Sequence, residues 1–328
     1  MQVVSTIRLI NKWWRTWGTL PVRHWVRAAA LYKQGDFERA SKCYEKGLKR
    51  FSAHPASFCA RMDLSYCFFR LQRFEEAEIQ LRQVIVKLPH SREAHIRLAK
   101  LYLWTGRTLD AVWTMKRALK GCGNHNDLVS WFLYTVSENG GPAYLIREAL
   151  KLISESETGT ELSPLAQAAK ARLLSTRGRQ GSKTQEGLER IASQEDAEVE
   201  VLLIAAETLL RQHEVASARR YLRRALAISA DHPRILSLLA ESYLQAGPFY
   251  NSSYANQLAI QACQSNKWLS PREMHVLAET YFHLDDRISA LIIAQKAKAE
   301  GSRLLGSYPE AAVLDRLIEH LSSEPVAS

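Results

Sequence analysis

Eight small residues recur along the 328-residue chain at intervals of 31 to 38: Ala40, Ala77, Ala111, Ala149, Gly187, Ala218, Ala255 and Ala290. Four positions after each stands a larger or apolar side chain, in order Tyr44, Leu81, Met115, Ile153, Ile191, Leu222, Ala259 and Ala294. One helical turn separates the two, so both lie on the same face of a helix. Several units add another small residue three positions on, at Gly47, Ala118, Ala225, Ala262 and Ala297. Small side chains let antiparallel helices approach closely, and the larger ones fill the remaining space. A period of this length specifies an all-α array of antiparallel helix pairs.

The first helices of the pairs carry a signature of their own. Leu98-Ala99-x-x-Tyr102, Leu239-Ala240-x-x-Tyr243 and Leu277-Ala278-x-x-Tyr281 repeat one apolar, small, aromatic order, and Leu64-Ser65-x-x-Phe68 is a looser copy. Gly35, Gly106 and Gly247 stand where first helices end, and Pro55, Pro89, Pro233 and Pro271 mark joins between units. With these features the chain resembles the tetratricopeptide repeat family, whose repeat length matches the 34-residue step from Ala77 to Ala111. The resemblance implies a right-handed superhelical solenoid of antiparallel helix pairs that holds protein partners in a concave groove.

The expected organisation is uneven. Residues 1–20 form an amphipathic, Trp-rich segment, 21–125 three good repeats, 126–198 two degenerate helical repeats and 199–304 three more good ones. Within the degenerate stretch, helices are expected near 128–138, 143–154, 164–177 and 184–194. Residues 305–328 supply a capping helix and tail, with Leu305, Ala312, Leu314, Leu317, Ile318 and Leu321 toward its apolar side, because the last unit of a solenoid would otherwise expose its core.

Catalytic and metal patterns are missing. The chain has no GxSxG, phosphate loop, GxGxxG or HExxH, so neither catalytic residues nor cofactors are expected and the reading is non-enzymatic. Five scattered cysteines without Cys-x-x-Cys read as reduced thiols in a cytoplasmic protein. No run approaches 18 consecutive apolar residues, and the N-terminus lacks the pattern of a secretory signal. His90 and His95 read as surface histidines with no third ligand. Arg219-Arg220-x-x-Arg223-Arg224, on a second helix, reads as a solvated convex face without the interleaved aromatics that nucleic acid requires.

Carried over from the family, the groove geometry places Trp25, Tyr32, Lys33, Met62, Tyr66, Phe69, Arg70, Ile96, Lys100, Leu103 and Trp104 on the inner wall. Aromatic and cationic side chains dominate this set, so the expected partner is a protein segment bearing acidic and apolar residues. A chaperone-type carboxylate clamp is not expected, since its positions would be Trp25, Ala29, Asp63, Glu93 and Arg97 and two of these are acidic. Farther along, Glu200, Leu203, Glu207, Arg211, Arg234, Glu241, Gln245, Arg272, His275, Glu279, Phe282 and His283 suggest a mixed and more polar groove, for a second partner or for the continuation of one long ligand.

Charge is asymmetric. Residues 1–125 hold 23 Lys and Arg against 9 Asp and Glu, and no acidic residue precedes Asp36. An anionic partner for this third of the chain follows, acidic protein or membrane surface rather than nucleic acid. In residues 3–20, Val3, Ile7, Ile10, Trp14 and Trp17 fall on one side of a helix, Arg8, Lys12 and Arg15 on the other, and Trp13 at the border. Three readings stay open: an interfacial membrane anchor, a helix packing on the first repeat, or an organelle presequence. The leading functional expectation is a scaffold that positions a partner within a larger complex; the alternatives are a peripheral membrane adaptor and a regulatory subunit of an envelope or glycan-assembly enzyme.

Overall fold

In a computed structural model of the chain, residues 20–139, 142–157, 162–175, 182–306 and 310–323 are described. Among them are seventeen helices and no strand. The chain divides between Leu101 and Tyr102 into an N-terminal and a C-terminal unit. In the first, α1 (Leu20–Lys33) pairs with α2 (Phe37–Arg50) and α3 (Ser57–Arg70) with α4 (Phe74–Lys87), and α5 (Arg92–Trp104) crosses the boundary. The second contains α6 (Thr108–Cys122), α7 (Asn126–Asn139), α8 (Ala143–Glu157), α9 (Pro164–Ser175), α10 (Ser182–Ala192), α11 (Val199–Arg211), α12 (Val215–Ile228), α13 (Pro233–Leu244), α14 (Ser252–Ser265), α15 (Pro271–His283), α16 (Arg287–Arg303) and α17 (Ala311–Ser323).

The marker residues sit where the pairing argument requires them. Ala40, Ala77, Ala111, Ala149, Ala218, Ala255 and Ala290 are all buried, as are the residues four positions after each. Gly47 shows why the side chain must be small there: a Cβ would lie 2.6 Å from Trp25 Nε1. Gly187 differs, because a Cβ added to it meets nothing within 4 Å; it keeps the register without marking a close crossing.

Each tight turn from a first to a second helix passes through one left-handed residue. Gly35, Gln72, Gly106, His213 and Asp285 occupy this place, with φ between 55° and 80°. Glycine takes the conformation without strain, whereas an L side chain costs about 1 to 2 kcal/mol. Capping then fixes the start of the second helix. Asp36 accepts from Arg39 N at 3.1 Å and Asp286 from Ser289 N at 3.0 Å. Between α13 and α14 the connection is longer, and Phe249 and Tyr250 are exposed in it; Asn251 there caps α14 by accepting from Tyr254 N at 2.9 Å.

The terminal helix α17 packs on α16 through Leu314 and Leu321, but Leu305 and Ala312 are exposed. The apolar stripe is therefore narrower than the sequence suggested: Leu305 precedes the helix, which begins at Ala311, and Ala312 lies on its exposed side. No helix among the described residues is long and apolar enough to cross a membrane, and all five cysteines are free thiols.

Candidate partner-binding site

In the N-terminal unit the ends of the first helices converge on an aromatic cluster. Tyr32 of α1 lies 5.4 Å, between ring centroids, from Tyr66 of α3, and Phe69 lies 6.2 Å from Tyr66. Phe37 and Phe74, which open the second helices, complete it: Phe37 is 5.8 Å from Tyr32 and 6.0 Å from Tyr66, and Phe74 is 5.9 Å from Phe69. The edge-on and tilted geometries suit rings whose faces are negative and whose rims are positive. Arg70 closes the group, its guanidinium 5.1 Å from the Phe37 centroid and 3.4 Å from the Tyr66 hydroxyl, to which it donates. Tyr32, Tyr66 and Phe69 are half-buried, and Lys33, Arg70 and Lys100 are exposed. Burial raises the Tyr32 phenol above its ordinary pKa, so this ring stays neutral. The cluster can offer flat apolar area and positive charge together.

The other expected groove residues fall elsewhere. Trp25 is 1 % exposed, packed on Gly47 with its ring 5.4 Å from His54, so it is core rather than groove surface. Met62 is buried as well, and Ile96 is half-buried on α5. Leu103 and Trp104 belong to the C-terminal unit, where the Trp104 indole donates to Ser265 O at 3.1 Å and its ring lies 4.8 Å from that of His232. Gly106 presses on Ser270 nearby, with a Cβ position 2.8 Å from Ser270 Cα. Trp104 thus helps the C-terminal unit close on itself. Sequence reasoning missed Phe37 and Phe74; the available signal was an aromatic residue directly after each turn. The membrane-contact candidates Ile7, Ile10, Trp13, Trp14, Trp17, Arg8, Lys12 and Arg15 lie outside the described residues.

The clamp positions are used internally. Asp63 is buried and accepts from the Tyr44 hydroxyl at 3.0 Å, and burial pushes its pKa up to about 6. Arg97 donates to Met62 O at 3.0 Å and pairs with Glu93 at 2.5 Å.

The C-terminal unit treats its first helices differently. Arg172 of α9 binds Glu138 of α7 on one side and Glu207 of α11 on the other. Glu138 also accepts from Arg272 of α15 at 3.0 Å, and Arg272 reaches Glu310, just before α17, at 3.1 Å. Glu207 pairs with Arg211 at 2.7 Å and with Arg234 of α13 at 3.5 Å, and Arg234 continues to Glu241 at 3.1 Å. This ionic ladder joins five helices. The Arg172 and Glu138 side chains at its centre are 5 % and 6 % exposed; of the residues expected along a polar groove, Glu207 is buried, Arg234, Glu241, Arg272 and Glu279 are half-buried, and Arg211 is exposed. Burial alone would raise the pKa of Glu138, but the guanidinium groups of Arg172, Arg272 and Arg234 hold it below the ordinary carboxylate range. The sequence signal was the 34- and 35-residue spacing of Glu138, Arg172, Glu207 and Glu241, which puts them at matching places in successive first helices.

Two further expectations are corrected. Arg219 is buried, donating to Ser242 Oγ at 3.0 Å and Ser242 O at 2.7 Å, with its guanidinium 3.8 Å from the Tyr243 centroid. Arg224 donates to Ala192 O at 2.6 Å, which leaves Arg220 and Arg223 as the solvated members of that run. His95 is buried with Nδ1 2.9 Å from Ser91 O, so it belongs to its own helix start rather than to the surface. No group of three or more potential metal ligands occurs among the described residues.

Comparison with known proteins agrees with this architecture. Residues 26–91 match the tetratricopeptide repeat family model. A search of curated proteins found no match. A chain of the APC/C hetero-tetramer Cut9-Hcn1 superimposes with a TM-score of 0.67 at 13% identity, covering 91% of this chain and 62% of that one. This chain therefore spans less than two thirds of that relative's length. The human IFIT1 dimer with m7Gppp-AAAA is similar with a TM-score of 0.50 at 14% identity, covering 90% of this chain and 72% of that one. At such identities the likeness shows the fold alone. Residues 26–91 thus match the tetratricopeptide repeat family model, and most of the chain has the fold of a tetratricopeptide-repeat solenoid.

Proposed function

We propose that the protein is a non-enzymatic interaction scaffold whose N-terminal unit holds an acidic, apolar segment of a partner protein and positions it within a larger assembly. The observation that carries this reading is the cluster of Tyr32, Tyr66 and Phe69 with Arg70 against it, in a unit whose Lys33 and Lys100 are also exposed. Half-buried rings give contact area at little entropic cost, and cations of one sign favour a carboxylate-bearing ligand. Residues 1–101 hold 19 Lys and Arg against 8 Asp and Glu, which extends the same preference to the approach of the partner.

The test is a triple variant, Tyr66→Ala, Arg70→Ala and Lys100→Ala, in the full chain. It is expected to keep the helical circular-dichroism spectrum and to lose the proteins that co-purify with the wild type, whose own binding weakens as salt rises. A folded variant that recovers the same proteins would move the binding surface elsewhere. The peripheral-membrane alternative makes a different demand: flotation with anionic vesicles that disappears when residues 1–20 are deleted.

A further inference from the structure

Where the ionic ladder ends, α13, α15 and α17 leave a cleft of about 620 Å3. Leu244, Phe282, Val313 and Leu317 give it apolar walls, and Glu241 and Glu279 bring carboxylates to it. The two acids are not equivalent. Glu241 has Arg234 at 3.1 Å, as Glu138, Glu207 and Glu310 each have a guanidinium. Glu279 has His275 Nε2 at 3.4 Å, and burial lowers that imidazole's pKa, which favours its neutral form. Arg316 also lines the cleft but is exposed, donating through Nε to Ala312 O of its own helix at 3.3 Å.

Among the described residues Glu279 therefore has no Lys or Arg paired with it, unlike the carboxylates of the ladder. Burial, with Glu241 and Glu310 adding to it, pushes its pKa up to about 7, the mark of a negative charge held in an unfavourable field. A second acceptor stands beside it. Gln245 lines the same cleft, its amide nitrogen donates to Leu210 O at 3.0 Å, and its Oε1 is buried with no hydrogen-bond partner. A buried acceptor left unmade costs about 1 to 3 kcal/mol, which a ligand bringing N–H donors would recover once the amide turns its oxygen to the cleft.

We propose that this cleft is a second docking site, which takes an arginine side chain of an apolar partner segment, the guanidinium against Glu279 and Gln245 and the flanking residues against Leu244, Phe282 and Leu317. A guanidinium supplies several donors in one plane together with the missing positive charge. The apolar walls exclude a small hydrated ion as the fitting occupant and favour a side chain carried on an apolar backbone. This site is independent of the reading given for the N-terminal unit and selects the opposite charge.

The probe is acetyl-Leu-Arg-Leu-amide, titrated into the full chain with labelled Leu and Val methyl groups and followed by NMR. Its neutral control is the same peptide with citrulline in place of arginine. Saturable shifts at Leu244, Val313 and Leu317 are expected, weakened about tenfold or more by citrulline and by Glu279→Gln, as loss of a charge-assisted contact requires. Glu279→Gln removes a strained charge, so its fold is expected to persist, and the citrulline control stands without any variant. The proposal is overturned if the arginine peptide gives no saturable shift, if citrulline binds equally well, or if Glu279→Gln leaves the affinity unchanged. Calcium chloride alone shifting these methyl groups and blocking the peptide would also overturn it, in favour of a metal site.

Discussion

Six positions before each turn, the first helices carry Ala29, Tyr66 and Lys100 in the N-terminal unit and Glu207, Glu241 and Glu279 in the C-terminal unit. Equivalent places in one repeat thus hold different chemistry. In the C-terminal unit Glu207 meets Arg172 and Arg234 and Glu241 meets Arg234, so these charges neutralise one another within the protein, while Glu279 has only His275. In the N-terminal unit Lys33, Arg70 and Lys100 share one sign and are exposed, Arg70 against a ring cluster. A helical wall whose opposite charges pair can close into core, whereas exposed cations beside half-buried rings suit an external ligand of the other sign. The repeat supplies the wall, and the choice of ionisable residues decides whether it is structure or surface.

The sharpest way to break the comparison is to remove one member of the ladder. Arg172→Met leaves Glu138 and Glu207 facing each other in the core, and breaking a buried pair from one side costs about 3 to 5 kcal/mol. Urea denaturation is expected to show that loss. Replacing Glu138, Arg172 and Glu207 together by apolar residues is expected to restore most of it, since the desolvation penalty goes with the charges. A single variant as stable as the wild type would mean that the ladder is solvated.

The turns sharpen the comparison at smaller magnitude. Gly35 and Gly106 share a left-handed conformation, with φ of 80° and 76°, but differ in surroundings. A Cβ at Gly35 meets nothing within 4 Å, while one at Gly106 would lie 2.6 Å from Ser270 Oγ. Gly35→Ala is expected to cost about 1 kcal/mol and Gly106→Ala about 2 to 4, because strain and overpacking add at the second site. Paired thermal melts check this, and equal costs would contradict the closure of the C-terminal unit at Ser270.

The smallest effect is one of pH. Asp63 has its folded pKa raised to about 6, so the unfolded state ionises first and this group's contribution to stability falls as pH rises from its ordinary range through 6. Glu138 runs the other way: its folded pKa is lowered, so its contribution is present above the ordinary carboxylate range and is lost as pH falls through the folded value. Asp63→Asn is expected to stabilise α2 and α3 by about 1 to 2 kcal/mol at pH 7.5 and to have little effect at pH 4.5. Hydrogen exchange at the two pH values, corrected for intrinsic rates, reads it out helix by helix.

The helix pairs were legible because close packing leaves a local mark, a small residue one turn before a larger one. Two of the turns were legible through Gly35 and Gly106, but Gln72, His213 and Asp285 hold the same conformation with ordinary side chains. Large aromatics misled, since a tryptophan read alone looks like a contact residue. Only the missing Cβ of Gly47 shows that Trp25 is packed inward, and only the Ser265 carbonyl shows what Trp104 serves. The ladder was hidden because each charge, taken singly, belongs on a solvated face. Arg219 was misread in the same way, since Tyr243 and Ser242 meet it from a helix 14 or more positions along the chain.

Partners are expected to meet the N-terminal wall, while the centre of the ladder in the C-terminal wall is interior. A photocrosslinking amino acid placed at position 70, and separately at position 211 beside Glu207, tests this most directly in the full-length protein. Position 70 is expected to give a specific adduct that is lost when Tyr66 and Lys100 are replaced, and position 211 is expected to give none with the same partner. An adduct from position 211 with none from position 70 would contradict the account.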